Sequence, residues 1–231
     1  MIPAPRPPNE SERLAALARY RVLDTSAEQR YDDIARLAAF LCRSPISTVT
    51  FVDRDRQWFK AQVGMPTNET PREHAFCAHT ILTPNVMVVE DATRDERFHD
   101  SPLVVGEPHV RFYAGAPLIT SDHHQIGSLC VIDREPRTLS PAECSALEAL
   151  ARLVIGELEL RRSTHELAEM VHHAKTLSGL LPICSYCKDV RDDQGYWKSV
   201  EEYVISHSSA EFSHGMCPKC AKVHFPLKPG T

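Results

Sequence analysis

The sequence predicts an α+β fold, in which an antiparallel sheet of five or six strands is flanked by helices and followed by a long helix and a small cysteine-rich module. Three observations support this fold class. Five short runs rich in β-branched and aromatic residues lie between residues 46 and 132, preceded and followed by helical apolar spacing. After Pro141, the chain up to about Lys175 has no proline and one glycine. Two Cys-x-x-Cys pairs stand near the end.

Composition excludes several classes of protein. The 231 residues are 42% apolar and 25% charged, which is enough for one or two ordinary cores. No apolar run has the length of a membrane span or of a secretion signal. We therefore expect a cytoplasmic protein without a membrane partner. The net charge of −5 is spread along the chain, so we do not expect nucleic acid as a partner either.

The first elements can be placed from local patterns. The proline-rich residues 1–8 predict an extended lead-in. From Asn9 to Arg43 the apolar spacing is helical, and Asn9 can cap the start. Five predicted strands follow, with a turn at residues 53–56 between the first two. They cover residues 46–52, 58–63, 86–89, 110–119 and 126–132. Between the second and third strands, residues 72–82 predict a short helix that carries Phe76, Cys77 and His79 over the sheet, as the roof of a cavity.

The long helix has a clear start signal at Ser140, because Ser140, Pro141 and Glu143 form a capping box with proline in the first turn. Its first half can cover the sheet through Leu147, Leu150, Val154 and Leu158. Its second half continues an apolar seam near heptad spacing, with no obvious cover in this chain. We therefore expect a parallel homodimer through this helix.

Six stretches carry a resemblance to a known family. They are residues 9–25 (Asn-Glu-x-x-Arg-Leu through Val-Leu-Asp-Thr), 52–60, 76–79 (Phe-Cys-Ala-His), 91–98, 111–118 (Arg-Phe-Tyr-Ala-Gly-Ala-Pro-Leu) and 127–133. In this order they resemble the GAF domains of bacterial signal-transduction proteins, over about residues 9–160. The resemblance implies a pocket over the sheet, where GAF domains bind cyclic nucleotides, tetrapyrroles, haem or small metabolites. It does not identify the ligand.

Candidate ligand-binding residues surround the predicted pocket. They are Arg72, Phe76, Cys77, His79, Asp91, Arg111 and Tyr113. The alternatives are that Cys77 is a small apolar filler and that Asp91 and Arg111 make strand-end hydrogen bonds or a surface ion pair. Bilin-binding relatives have a Cys-His dipeptide in this region, whereas Ala78 intervenes here. We therefore expect an unknown small-molecule ligand that is bound without a covalent bond.

The final module, residues 179–226, follows a helical linker at 161–178 and precedes a tail at 227–231. Its paired cysteines predict one structural Zn²⁺ in a closed tetrahedral site. The ligands would be Cys184, Cys187, Cys217 and Cys220, with His214 as a rival ligand or a hydrogen-bond donor to a sulfur. Two disulfides, an iron–sulfur cluster and a redox switch are the alternatives. The segment resembles one appended to bacterial response regulators and sensor proteins.

Together these features predict a non-catalytic signalling protein, which senses a small molecule and relays the signal through the helix and the zinc module to a protein partner. Two alternatives stay open. One is a redox-active enzyme or sensor that uses Cys77 and Cys130, similar to free methionine sulfoxide reductases. The other is a nucleic-acid-binding zinc ribbon, which the near balance of acidic and basic residues in the module disfavours.

Overall fold

The computed structural model describes residues 1–177, 181–192, 194–208 and 210–224. The chain divides into two compact units, Met1–His165 and Glu166–Thr231. In the first unit, six antiparallel strands are arranged in the order β3-β2-β1-β6-β5-β4. The strands are β1 (Ile46–Val52), β2 (Arg56–Val63), β3 (Glu69–Pro71), β4 (Met87–Val89), β5 (Phe112–Ile119) and β6 (Gln125–Asp133). The short edge strand β3 was not predicted from the sequence.

A 3₁₀-helix (Arg72–His74) and five α-helices accompany this sheet within the described residues. The α-helices are α1 (Glu10–Arg19), α2 (Gln29–Leu41), α3 (Phe76–Thr80), α4 (Pro102–Val105) and α5 (Pro141–Leu177). The helical pattern predicted over residues 9–43 is in fact two helices. In the connection between α1 and α2, Arg21 has a φ of 46° and Asp24 a φ of 59°. These values belong to the left-handed region, which a right-handed helix cannot contain. Asn9 occupies the cap position of α1 but makes no side-chain capping hydrogen bond.

The two faces of the sheet pack against different layers. One face meets α1, α2 and the first half of α5, whose Leu147, Leu150, Val154 and Leu158 are buried as expected. The opposite face meets α3, α4 and the connecting loops. Alternation along β5 separates the two cores, because Ala114 lies in the first and Tyr113 in the second.

The start of α5 has the predicted capping arrangement. Ser140 Oγ donates to Glu143 Oε2 at 2.6 Å, and the Ser140 amide donates to the same carboxylate oxygen at 2.8 Å. In return the Glu143 amide donates to Ser140 Oγ at 3.3 Å. These bonds satisfy amides that the first helical turn leaves open.

Buried charged side chains connect α1 to the end of β1 through hydrogen bonds. Arg13 is 1% exposed, and its Nε and Nη2 donate to the two carboxylate oxygens of Glu10 at 2.7 and 2.8 Å. Its Nη1 donates to the Val52 carbonyl at 2.6 Å. Arg72 also donates to Glu10, and to the Asp53 carbonyl at 3.0 Å. Glu10 therefore joins two arginines from separate parts of the chain.

The second unit contains a two-stranded ribbon and two helices among its described residues. They are β7 (Val190–Arg191), β8 (Trp197–Lys198), α6 (Val200–His207) and α7 (Pro218–His224). Trp197 pairs with Arg191 across the ribbon, and Ser199 caps α6 by accepting from the Glu202 amide. Tyr203 is buried in this unit, whereas Tyr196 and Trp197 are 66% and 53% exposed.

Candidate functional site

A small cavity lies between α3 and the sheet, where the sequence predicted a roofed pocket. Its volume is about 20 Å³, which is room for one water molecule. The sheet contributes its floor and α3, α4 and the loops contribute its roof. The lining residues are Thr48, Gln57, Phe59, Met65, Thr70, Phe76, Cys77, Leu103, Pro108, Val110, Tyr113, Cys130 and Ile132.

Two oxygen atoms among the lining residues have unused hydrogen-bonding capacity. Gln57 is 6% exposed, and its Oε1, like Thr70 Oγ1, has no hydrogen-bond partner among the described residues. A buried polar atom without a partner costs about 1–3 kcal/mol. Such atoms mark places where a water molecule or a ligand supplies the missing bond.

Aromatic rings make the roof rigid next to these polar atoms. The ring of Phe76 stacks on Phe98 with centroids 4.0 Å apart, and lies 5.2 Å from the ring of Tyr113. All three rings are buried. A planar ligand that entered here would meet aromatic surface on the roof and the amide of Gln57 on the floor.

A pair of cysteines borders the cavity. Cys77 Sγ and Cys130 Sγ are 3.8 Å apart, and both side chains are buried. Tyr113 donates its hydroxyl to Cys77 Sγ at 3.4 Å. Burial raises the pKa of the Cys77 thiol, but hydrogen bonds from Cys130, Ser128, Thr50 and Tyr113 outweigh that effect and lower the pKa to about 6. The bond to Cys77, together with burial, raises the pKa of Cys130.

Three of the seven predicted ligand residues therefore line the cavity, namely Phe76, Cys77 and Tyr113. The other four are engaged elsewhere. Arg72 binds Glu10 and backbone carbonyls, and His79 Nε2 lies 3.1 Å from the Ile2 carbonyl. Asp91 closes a turn by accepting from Thr93, and Arg111 donates to the Val104 and Val110 carbonyls.

Sequence reasoning missed the polar members of this site. Gln57 and Phe59 are two residues apart on β2 and face the same cavity. A glutamine in a predicted strand does not by itself indicate a binding site. Cys130 was named only in the redox alternative, together with Cys77, and not among the ligand-binding residues. To predict that Cys130 lies at the cavity, one would have to know how the strands pair, because Cys130 on β6 is the register partner of Thr48 on β1.

The four paired cysteines lie in the second unit, and three of them are exposed. Cys184 and Cys187 lie in one turn, and the Cys220 amide donates to Cys217 Sγ at 3.4 Å in the other. In the described part of the chain, no group of three or more His, Cys, Asp or Glu side chains is placed to hold a metal ion. The geometry thus gives two separate pairs and not a closed tetrahedral set.

The first unit is thus an α+β domain whose six-stranded antiparallel sheet has helices on one face and a roofed cavity on the other. A family model for the GAF domain matches residues 13–158. The chain therefore belongs to the GAF family, as its sequence motifs suggested.

One similar protein is the cyclic di-GMP phosphodiesterase PA2567 of Pseudomonas aeruginosa. It is 42% identical over 170 residues, which are 73% of this chain and 29% of the relative. The chain thus spans less than a third of that relative's length. Our prediction that the chain is not an enzyme is contradicted by this match, since the relative is named as an enzyme.

One solved structure agrees with this fold, and a second is reported beside it. A domain of a protein described as a two-component sensor histidine kinase, from Sinorhizobium meliloti, superposes with a TM-score of 0.50 at 15% identity, covering 63% of this chain and 99% of that one. The GAF domain of an Acinetobacter phosphoenolpyruvate-protein phosphotransferase gives 0.49 at 17% identity, covering 67% and 98%.

Among the described residues, we find no helix with the length and apolar character that crossing a membrane requires.

Proposed function

We propose that this GAF domain binds a small organic molecule without a covalent bond, in the cavity between α3 and the sheet, and that binding regulates cyclic di-GMP signalling. The observation that carries the proposal is the buried, unpartnered Oε1 of Gln57 at a cavity roofed by aromatic rings. A ligand with an N–H or O–H donor would remove the cost of that unmade bond.

The size of the cavity limits how binding can occur. Pockets for small organic ligands usually measure about 300–1,000 Å³, whereas this cavity measures about 20 Å³. The ligand therefore has to displace the roof, which is a five-residue helix, α3, with its flanking loops. Displacement of α3 is the conformational change by which occupancy would be transmitted.

The link to cyclic di-GMP comes from the relative, which is named a cyclic di-GMP phosphodiesterase. Because the aligned part is 29% of that protein, hydrolysis of cyclic di-GMP by this chain is itself a question for experiment. Cyclic di-GMP belongs in the ligand panel and in a hydrolysis assay of the same preparation.

Native purification of the full chain tests the ligand proposal. We expect native mass spectrometry to show a non-covalent adduct of one small molecule per chain, or a panel of metabolites to contain at least one that raises the melting temperature. A ligand that binds only the native state stabilises it in proportion to its concentration. No adduct, and no stabilising compound in a broad panel, would contradict the proposal. A mass increment that survives denaturation would show covalent attachment instead.

We also propose that α5 mediates a parallel homodimer, through which a signalling protein partner receives the change. Leu153, Leu160 and Leu167 are seven residues apart and are 57%, 48% and 58% exposed. This spacing places them along one stripe of the helix, as in a coiled coil. A second copy of the chain would bury the same stripe on both helices.

Light scattering should therefore report a dimer at micromolar concentrations for the full chain. A double variant, Leu153→Glu with Leu160→Glu, should be monomeric, because two carboxylates per chain cannot be buried in the seam. Val105→Glu is the matched control, since Val105 is 66% exposed on α4, and it should leave the dimer intact. A monomeric parent protein would contradict the proposal.

A further inference from the structure

The cysteine pair at the cavity has a geometry that the ligand proposal does not use. Cys77 is on α3 and Cys130 is on β6, and their sulfur atoms are 3.8 Å apart. A disulfide has an S–S distance of about 2.05 Å, so an approach of less than 2 Å would join them. The other two cysteines of the first unit lie elsewhere, with Cys42 in the core on the opposite face of the sheet and Cys144 on α5.

Hydroxyl groups surround the two sulfur atoms. Tyr113 donates to Cys77 Sγ at 3.4 Å, and its oxygen lies 2.6 Å from Thr80 Oγ1. Thr48 Oγ1 lies 3.0 Å from Cys130 Sγ. An apolar filler needs no such donors, whereas a thiolate does, because it is a buried negative charge. The surroundings of Cys77 therefore suit the nucleophilic form of a cysteine.

Gly115 makes room for this arrangement. A Cβ atom at position 115 would overlap the hydroxyl of Tyr113 and come within 3.0 Å of Thr80 Oγ1. The absence of a side chain there lets the tyrosine ring lie along β5 and reach Cys77.

We infer that Cys77 and Cys130 are a redox modification site, at which hydrogen peroxide or another small hydroperoxide converts the two thiols into a disulfide. The Cys77 thiolate attacks one oxygen of the peroxide and the O–O bond breaks. Cys77 becomes a sulfenic acid, and the departing hydroxide takes up a proton to form water. Cys130 then attacks the Cys77 sulfur, the S–O bond breaks, and the Cys130 proton leaves with the hydroxide as a second water. Two thiols lose two electrons, and one peroxide is reduced to two waters.

The bond would tie the roof of the cavity to its floor. Since Cys77 is on the roof helix α3 and Cys130 on the central strand β6, the oxidised protein could no longer displace α3. The cavity has room for one water molecule, so a peroxide enters with a small fluctuation of the roof and a bulky oxidant does not. The proposed oxidation of the two cysteines does not depend on whether an organic ligand binds in the cavity.

Peptide mapping of the full chain tests the inference. The reduced, folded protein is treated with hydrogen peroxide, denatured with a thiol-alkylating reagent present, and digested with trypsin. Cleavage after Arg72, Arg94, Arg111 and Arg134 isolates Cys77 in residues 73–94 and Cys130 in residues 112–134. We expect these two peptides to be found cross-linked, to separate on reduction, and to form while circular dichroism still shows native structure. The Cys42 peptide should remain reduced and alkylated.

Variants distinguish the proposed oxidation from a chance contact between Cys77 and Cys130. Cys130→Ser should leave Cys77 as a sulfenic acid that a dimedone probe labels, and Cys42→Ser should not change the cross-link. Tyr113→Phe should slow cross-linking several-fold because it removes a donor to the thiolate. Tyr31→Phe is its matched control, since Tyr31 is a buried tyrosine on the other face of the sheet, and should oxidise at the parent rate. Absence of the cross-link in folded protein, or equal rates in both tyrosine variants, would overturn the inference.

Discussion

An Arg13→Ala variant is expected to lose about 3 kcal/mol of unfolding free energy, or more, because it breaks a buried ion pair from one side. Arg13 is 1% exposed and makes hydrogen bonds to both oxygens of Glu10 and to the Val52 carbonyl. Its removal takes away a buried donor to that carbonyl and leaves Arg72 as the arginine that pairs with Glu10. Urea unfolding followed by circular dichroism measures the loss.

Arg6→Ala is the matched control for this variant. Arg6 also pairs with a carboxylate, Asp55, at 3.1 Å, but the two side chains are 58% and 77% exposed. An exposed pair contributes about 0–1 kcal/mol. A loss for Arg13→Ala no larger than that of Arg6→Ala would contradict the structural role assigned to the buried pair.

The same pair gives the domain a defined acid sensitivity. Burial raises the pKa of Glu10, but hydrogen bonds and charge from Arg13 and Arg72 outweigh it and lower the pKa from 4.5 to about 2. A carboxyl group with a lower pKa in the folded state stabilises the fold above the unfolded pKa, and this stabilisation is lost as pH falls through the folded pKa. We expect Glu10→Gln to flatten the stability-against-pH curve between about pH 4.5 and 2. An unchanged curve would contradict this assignment.

The second large effect is expected from the paired cysteines, for which zinc binding remains our proposal. Four thiolates in two Cys-x-x-Cys turns are a ligand set that Zn²⁺ prefers. The two pairs are separate in the described structure, so an ion would have to draw them together and its binding free energy would become folding free energy. Elemental analysis should find about one zinc per chain. Chelation should make the segment after residue 180 sensitive to protease while the GAF domain stays intact.

Cysteine variants provide the control for this experiment. Cys187→Ser and Cys217→Ser should each lose the metal. Cys144→Ser should keep it, because Cys144 lies on α5 in the first unit. A metal-free preparation whose terminal segment resists protease as well as the untreated protein would contradict the zinc proposal.

Much of the first unit could be predicted from its sequence because its signals are local. The five strands and the capping box at Ser140 depend on neighbouring residues, and so does the buried stripe of α5. The interruption between α1 and α2 could not be predicted, since Arg21 and Asp24 adopt positive φ without being glycine. Edge strand β3 has three residues, too few for a periodic pattern.

The site was harder to predict because its residues meet only across strands. The sequence motifs located Phe76, Cys77 and Tyr113 at the cavity. They could not show that Cys130 lies within 3.8 Å of Cys77, since 53 residues separate the two. Arg72 was predicted to be a ligand residue because its side chain could orient a polar ligand. Its partner, Glu10, comes from another helix, and no local pattern connects them.

The most direct test of the ligand proposal is the affinity of the native ligand, or of the best stabilising compound, for Gln57→Leu. This variant removes the unpartnered Oε1 and keeps a similar volume, so the ligand-free protein should be as stable as the parent or more stable. Its affinity for the ligand should fall at least tenfold, which corresponds to about 1.4 kcal/mol for one lost hydrogen bond. Gln62→Leu on the same strand, outside the cavity lining, should retain parental affinity. Calorimetry that finds equal affinities for the parent, Gln57→Leu and Gln62→Leu would place the ligand elsewhere and contradict the proposed function of this cavity.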